Sequence, residues 1–137
     1  MADRDRVIII GLGRMGSALA VDLERAGVPV LGIDRNEQVV QDLAESVRHL
    51  AIADATDIEA LRQLGLGPHS QVILTATKLH QSLLAMTALT DLGVTRIWAK
   101  AGSRQHAEIL TRLGAERTIQ PEADAGDALA DELISRM

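Results

Sequence analysis

Three glycines at fixed spacing, Gly11-x-Gly13-x-x-Gly16, and an acidic residue twenty-one positions past the second of them, Asp34, are the residues whose types and spacing can do chemistry here. That chemistry is the holding of a phosphate-bearing ligand. Gly11 permits a tight turn, Gly13 lets the backbone approach a pyrophosphate, and Gly16 lets the following helix pack close to the preceding strand. A helix that starts at such a turn points its free N–H groups at the phosphates. A carboxylate at the end of the second strand, the position of Asp34, accepts hydrogen bonds from both hydroxyls of an adenosine ribose. It repels a 2′-phosphate, which disfavours NADP, although Arg35 softens that repulsion. ATP, ADP, NAD and NADH all carry the free diol, so Asp34 does not choose among them. A plain turn or capping role is its alternative.

Further candidates follow the later strands. Asp54-Ala55-Thr56 stands where a loop passes an adenine ring, and Thr56 also suits a helix cap. Thr75, Ala76 and Thr77 are small enough to let a cofactor lie across the sheet edge, while Lys78 reads equally as a solvated cation. Lys100 ends an apolar strand beside Trp98, at the edge where phosphates lie, and lysines are seldom placed so without a partner. Arg14 and Met15 lie inside the glycine turn. Arg14 can reach a phosphate of its own ligand or of a neighbouring subunit, or stand as a surface arginine. His49, His69, His80 and His106 fit no metal-ligand spacing and read as surface or loop residues. No nucleophile elbow, Walker sequence or His-Glu-x-x-His is present, so catalysis has no positive signal.

The elements that must position these residues alternate along the chain. Apolar runs predict strands at 6–10, 29–33, 48–52, 71–75, 95–100 and 116–119. Helical patterns lie at 14–26, 36–45, 57–64, 80–92, 103–113 and 124–135. Gly27 and Pro29 close the first helix. Asp34 or Asn36 caps the second, Thr56 with Glu59 the third, and Ser103 the fifth. Leu79, Leu83, Leu84, Met86, Ala88, Leu89 and Leu92 form an apolar stripe, and Pro121 is a natural stopping point before the last helix. Continuous runs such as Val7-Ile8-Ile9-Ile10 suit a parallel sheet covered on both faces. Right-handed crossovers then give a doubly wound α/β Rossmann sheet of order 3-2-1-4-5-6.

With 137 residues, 47% hydrophobic and 24% charged, the chain reads as one soluble domain, 1–137. A net charge of −5 and a pI near 5.3 argue against nucleic-acid binding. No cysteine is present, so disulfides and thiol-based metal or redox sites are excluded. No apolar run approaches a membrane span, and the charged start lacks a leader pattern, so direct membrane insertion is not expected and a cytoplasmic location is. A dehydrogenase of this fold normally carries a second domain for its substrate, and none follows here.

Five segments taken in order are similar to one known family: Val7 to Gly16, Gly32-Ile33-Asp34-Arg35-Asn36, Ala53-Asp54-Ala55-Thr56, Ile97-Trp98-Ala99-Lys100-Ala101 and Leu113 to Glu122. The chain resembles the RCK domain, also called TrkA-N, and within it the peripheral subunits of bacterial Trk/Ktr potassium-uptake systems. The resemblance runs from Arg6 to about Leu133. It implies a Rossmann lobe whose C-terminal helix crosses over to make a homodimer, with dimers building an octameric ring under a membrane potassium transporter or channel. It implies ATP or ADP as ligand, with NAD(H) in some members. By motif, Gly11, Gly13, Arg14 and Gly16 would face phosphates, with Lys100 near them. Asp34 would hold the ribose, and Asp54, Ala55 and Thr56 would border the adenine. Glu122 matches an acidic position that in some relatives helps bind a divalent cation, Mg²⁺ or Ca²⁺, between subunits; it otherwise suits a helix start. Ala53 departs from the usual glycine, and the family's small C-terminal lobe is absent.

Three functions are thus open. One is a ligand-gated regulatory module. The second is an NAD-dependent oxidoreductase lacking its substrate domain, and the third an oligomerisation domain with a vestigial site. The missing acid/base machinery favours the first over the second. The intact glycine turn and Asp34 argue against the third.

Overall fold

The computed structural model describes residues 6–76 and 78–137. Thr77, expected at the site, lies outside the described residues. Strands and helices alternate: β1 (Val7–Ile10), α1 (Arg14–Arg25), β2 (Val30–Asp34), α2 (Glu37–Leu43), β3 (His49–Ile52), α3 (Ile58–Gln63), β4 (Gln71–Leu74), α4 (Leu79–Asp91), β5 (Arg96–Lys100), α5 (Arg104–Arg112), β6 (Arg117–Ile119) and α6 (Pro121–Ser135). All strand pairs are parallel, in the order β3-β2-β1-β4-β5-β6. The doubly wound sheet expected from the alternation is therefore present.

The apolar runs explain the layering. Successive residues of a strand point to opposite faces. Ile8 and Ile10 join a core under α3, α4 and α5, while Ile9 joins a second core under α1 and α2. Val72 and Leu74 likewise divide from Ile73. A strand buried on both faces has no position for a polar residue, which is why β1 reads Val-Ile-Ile-Ile.

Helix ends follow local chemistry, with two corrections to the expected caps. Asn36 caps α2 and Ser103 caps α5 through their side-chain oxygens. Asp57, not Thr56, caps α3, accepting from the N–H groups of Glu59 and Ala60. Thr56 is occupied one turn earlier by Asp54. Pro121 does not precede a helix that begins at 124; it is the first residue of α6 itself. Proline suits that position because its missing N–H has no helical partner there.

Burial corrects one further expectation. In α4 the predicted stripe is rotated: Met86, Ala88 and Leu89 are buried with Ser82 and Ala85, whereas Leu79 and Leu84 are each 51% exposed. In α6 the apolar residues stay in solvent, with Leu129 60%, Leu133 61% and Ile134 66% exposed. The helix does not fold back on its own sheet. No helix among the described residues is long and apolar enough to cross a membrane.

Candidate functional site

The chain runs outward from β1 to β3 in one direction, then crosses through α3 to β4 on the other side of β1. The carboxyl ends of β1 and β4 therefore diverge into a crevice, the usual ligand position in a doubly wound sheet. The glycine turn lies at its centre. Gly11 has φ +96°, and a side chain there would run into the Thr75 hydroxyl from the end of β4. That hydroxyl donates to the Gly11 carbonyl at 2.7 Å, with the Ile10 carbonyl at 3.1 Å. A side chain at Gly16 would collide with the Gly11 carbonyl oxygen, so α1 can approach the turn only because Gly16 has none. Gly13 differs from both: a Cβ there meets no protein atom within 4 Å. The protein's own packing leaves that space free.

Asp34 holds the turn from β2. Its Oδ2 accepts the Leu12 N–H at 2.8 Å and its Oδ1 accepts the Asn36 N–H at 2.8 Å. Each oxygen keeps a further lone pair for a hydroxyl donor. The loop after β3 is preformed in a similar way. Asp54 Oδ1 accepts from the Thr56 N–H at 2.9 Å and the Thr56 hydroxyl at 2.8 Å. These two bonds, with Arg35 nearby as the smaller contribution, hold the Asp54 carboxyl below the usual carboxylate range.

One cleft of about 270 Å³ collects these groups. It is lined by Gly11, Gly13, Arg14, Met15 and Gly16 of the turn, by Asp34 and Arg35 after β2, and by Ala53, Asp54, Ala55 and Thr56 after β3. Thr75 and Ala76 follow β4, Lys100 ends β5, and Ile10, Ile33, Gln81 and Ala85 complete the lining. Every described residue proposed from sequence to contact a nucleotide thus faces a single space. Glu122 does not; it is exposed on the first turn of α6.

The electrostatics of the cleft suit an anion. Its lining carries Arg14, Arg35 and Lys100 against Asp34 and Asp54, whereas the whole chain is at −5. The first turn of α1 has no capping side chain and no acidic residue, so its N–H groups and dipole face the cleft uncompensated. By contrast α2 and α3 have both a capping side chain and a first-turn acid. The arrangement offers diol acceptors at one end, backbone N–H donors in the middle and an ammonium at the other end.

Residues 7–121 match the family model of the TrkA-N domain. The chain belongs to the TrkA-N family. It is 36% identical over 126 residues to Ktr system potassium uptake protein A of Bacillus subtilis (strain 168), covering 91% of this chain and 57% of that protein. It is 33% identical over 129 residues to Ktr system potassium uptake protein A of Vibrio alginolyticus, covering 93% and 59% respectively. This TrkA-N chain therefore spans a little over half the length of these relatives.

Solved structures share the fold. The NAD(P)-binding domain of an exopolyphosphatase-related protein from Archaeoglobus fulgidus superposes with a TM-score of 0.84 at 25% identity, over 96% of this chain and 98% of that one. The GsuK channel bound to NAD gives 0.76 at 18% identity, over 87% and 22%. The AMP-bound Kef C-terminal domain of Shewanella denitrificans gives 0.76 at 21%, over 95% and 79%.

Two features of this TrkA-N site escaped the sequence reading. Gln81 lines the cleft one helical turn before Ala85. The spacing of four is the only signal that could have placed it there. His106, read as a surface or loop residue, is buried at 5% exposure on α5, beside the fully buried Ser82 of α4. Burial pushes its imidazole below the usual value of about 6.5.

Proposed function

We propose that this TrkA-N domain is a ligand-sensing regulatory module of potassium transport. It binds an adenine nucleotide in the cleft: ATP or ADP, with NAD or NADH as the other candidates. The observation that carries this reading is the gathering into one space of the glycine turn, the unguarded start of α1, Asp34 and the Asp54 turn. In it the phosphates lie against the N–H groups of α1 with Arg14 and Lys100 beside them, the ribose hydroxyls donate to Asp34, and the adenine passes Asp54, Ala55 and Thr56. The names of the Ktr relatives support the potassium link, and nucleotide-bound neighbours of the same fold support the ligand class. The role is that of a binding module rather than an enzyme.

Signalling requires an assembly. The exposed Leu129, Leu133 and Ile134 stripe of α6 supports at least a homodimer, with an octameric ring as the larger form. The assembly then sits in the cytoplasm, at the membrane's inner face, through its transporter or channel partner. A ligand moves that partner only by as much as it prefers one conformer of the assembly. Within one described chain no group of three or more metal-ligating side chains comes together. A divalent cation at Glu122 would therefore need ligands from a second protomer or from ligand phosphates. Calorimetric titration with ATP, ADP, NAD and NADH, with and without Mg²⁺ or Ca²⁺, tests the reading; failure of all four to bind refutes it.

A further inference from the structure

Beneath the Lys100 end of the cleft, one imidazole ties two elements together. His106 Nδ1 accepts the Gly102 N–H at 3.0 Å, and Nε2 lies 3.0 Å from the Ser82 hydroxyl. An acceptor at Nδ1 leaves the ring proton on Nε2, so the neutral ring donates to Ser82. Ser82 and His106 are 0% and 5% exposed, so the bond between them is buried, while the bond to the exposed Gly102 is part-buried. Both ties end close to the cleft. Ser82 follows Gln81 on α4, Gly102 is two residues past Lys100, and Gln81 and Lys100 line the cleft.

The surroundings hold the ring neutral. A second proton would sit on Nδ1 and face the Gly102 N–H, donor against donor, at the same distance. His106 is the third residue of α5, where the helix dipole disfavours a cation. The ionisable groups nearest in sequence on the elements that carry the ring and its partners are Lys78 and His80 at the start of α4, Lys100 on β5, and Arg104 and Glu108 on α5. Lys78, Lys100 and Arg104 are basic, Glu108 is a carboxylic acid and His80 an imidazole, and among the described residues none bonds to the ring. Burial acts in the same direction.

We propose that His106 is a positioning residue of the cleft, pinning the turn after β5 to α4 when neutral and releasing the turn when protonated, while Nε2–H keeps donating to Ser82. Ligand affinity then falls in acid because Lys100 loses its setting. The affinity half of the proposal rests on the nucleotide reading; the positioning half does not.

The test uses the full chain and His106→Asn, whose side-chain oxygen keeps an acceptor for the Gly102 N–H and does not titrate. In amide spectra recorded from neutral pH downward, the Gly102 and Lys100 signals of the wild type follow the His106 ring titration, and those of the variant do not. Calorimetry with ADP is then run at neutral pH and one unit below the measured ring pKa. The wild type loses about fivefold more affinity than the variant, the factor that one neutral hydrogen bond represents. Titration of ADP itself is common to both proteins and cancels. Should His106→Asn not fold, Ser82→Ala replaces it: the Gln81 amide stops following the ring while Gly102 still does. Gly102 signals that ignore the ring, equal pH dependence in the two proteins, or a ring that stays neutral until the chain unfolds would each overturn the proposal. ADP that binds neither protein at neutral pH refutes the nucleotide reading instead, and the amide spectra alone then decide on positioning.

Discussion

Alanine at Gly13 separates the needs of the fold from those of the site. A Cβ there meets nothing within 4 Å, and φ is −74°, on the negative side that L residues adopt. Removing a glycine restricts the unfolded chain and stabilises by about 0.4–1 kcal/mol. Gly13 is also the residue before α1, where alanine is the poorer cap by roughly 0.5–1 kcal/mol. The two effects offset, and net stability changes by less than about 1 kcal/mol. In the proposed binding mode, however, the methyl occupies the space through which a pyrophosphate would reach the α1 N–H groups. Losing one or two charge-assisted hydrogen bonds at about 1.5–3 kcal/mol each weakens binding tenfold or more. Gly16→Ala is the opposite case, because its Cβ collides with the Gly11 carbonyl oxygen. Displacing α1 to relieve that clash costs about 1–3 kcal/mol. Urea denaturation with ADP calorimetry reads both quantities. Gly13→Ala keeps its urea midpoint and loses ADP, whereas Gly16→Ala loses the midpoint. A Gly13→Ala protein that binds ADP as tightly as its parent would refute the assignment of that space to a phosphate.

Asp34→Asn leaves one oxygen for two backbone donors, Leu12 and Asn36, so urea denaturation should show a loss of about 1–3 kcal/mol. An unchanged midpoint contradicts the clamp. Because His106 is held neutral in the fold and titrates near 6.5 when unfolded, its contribution is complete above that pH. Stability then declines as pH falls from 6.5 through the lowered folded value, and His106→Asn flattens that decline in thermal melts against pH. Leu133→Asp places a charge in the exposed stripe of α6. Light scattering should find the parent at dimer mass or above and the variant as a monomer, and a monomeric parent rejects the interface.

Most of the cleft was legible because a parallel sheet brings the carboxyl ends of all its strands to one edge. Once β1, β2, β3, β4 and β5 were placed by their apolar runs, the residues at their ends had to meet, whatever the details of the helices. Polar residues on helix faces were harder to read. Ser82 and His106 satisfy each other in the core, but only a known α4–α5 packing reveals that; taken singly, each reads as surface. The same packing turned Leu79 and Leu84 outward. Thr56 and Asp57 are adjacent good caps, and the choice fell to Asp57 because Asp54 already engages Thr56. Pro121 is compatible with both a stop and a first helical position, and the following turn, rich in Glu122 and Asp124, decides for the latter.

In the proposed function the cleft binds an adenine nucleotide through Asp34 and the start of α1. Calorimetric titration of ATP and ADP into the unmodified chain and into Asp34→Ala tests it most directly. Saturable binding of at least one of the two is expected at micromolar concentration, with a loss of tenfold or more in the variant as its acceptors for the diol go. Equal affinity in a folded Asp34→Ala protein, or no saturable binding to the parent, contradicts it.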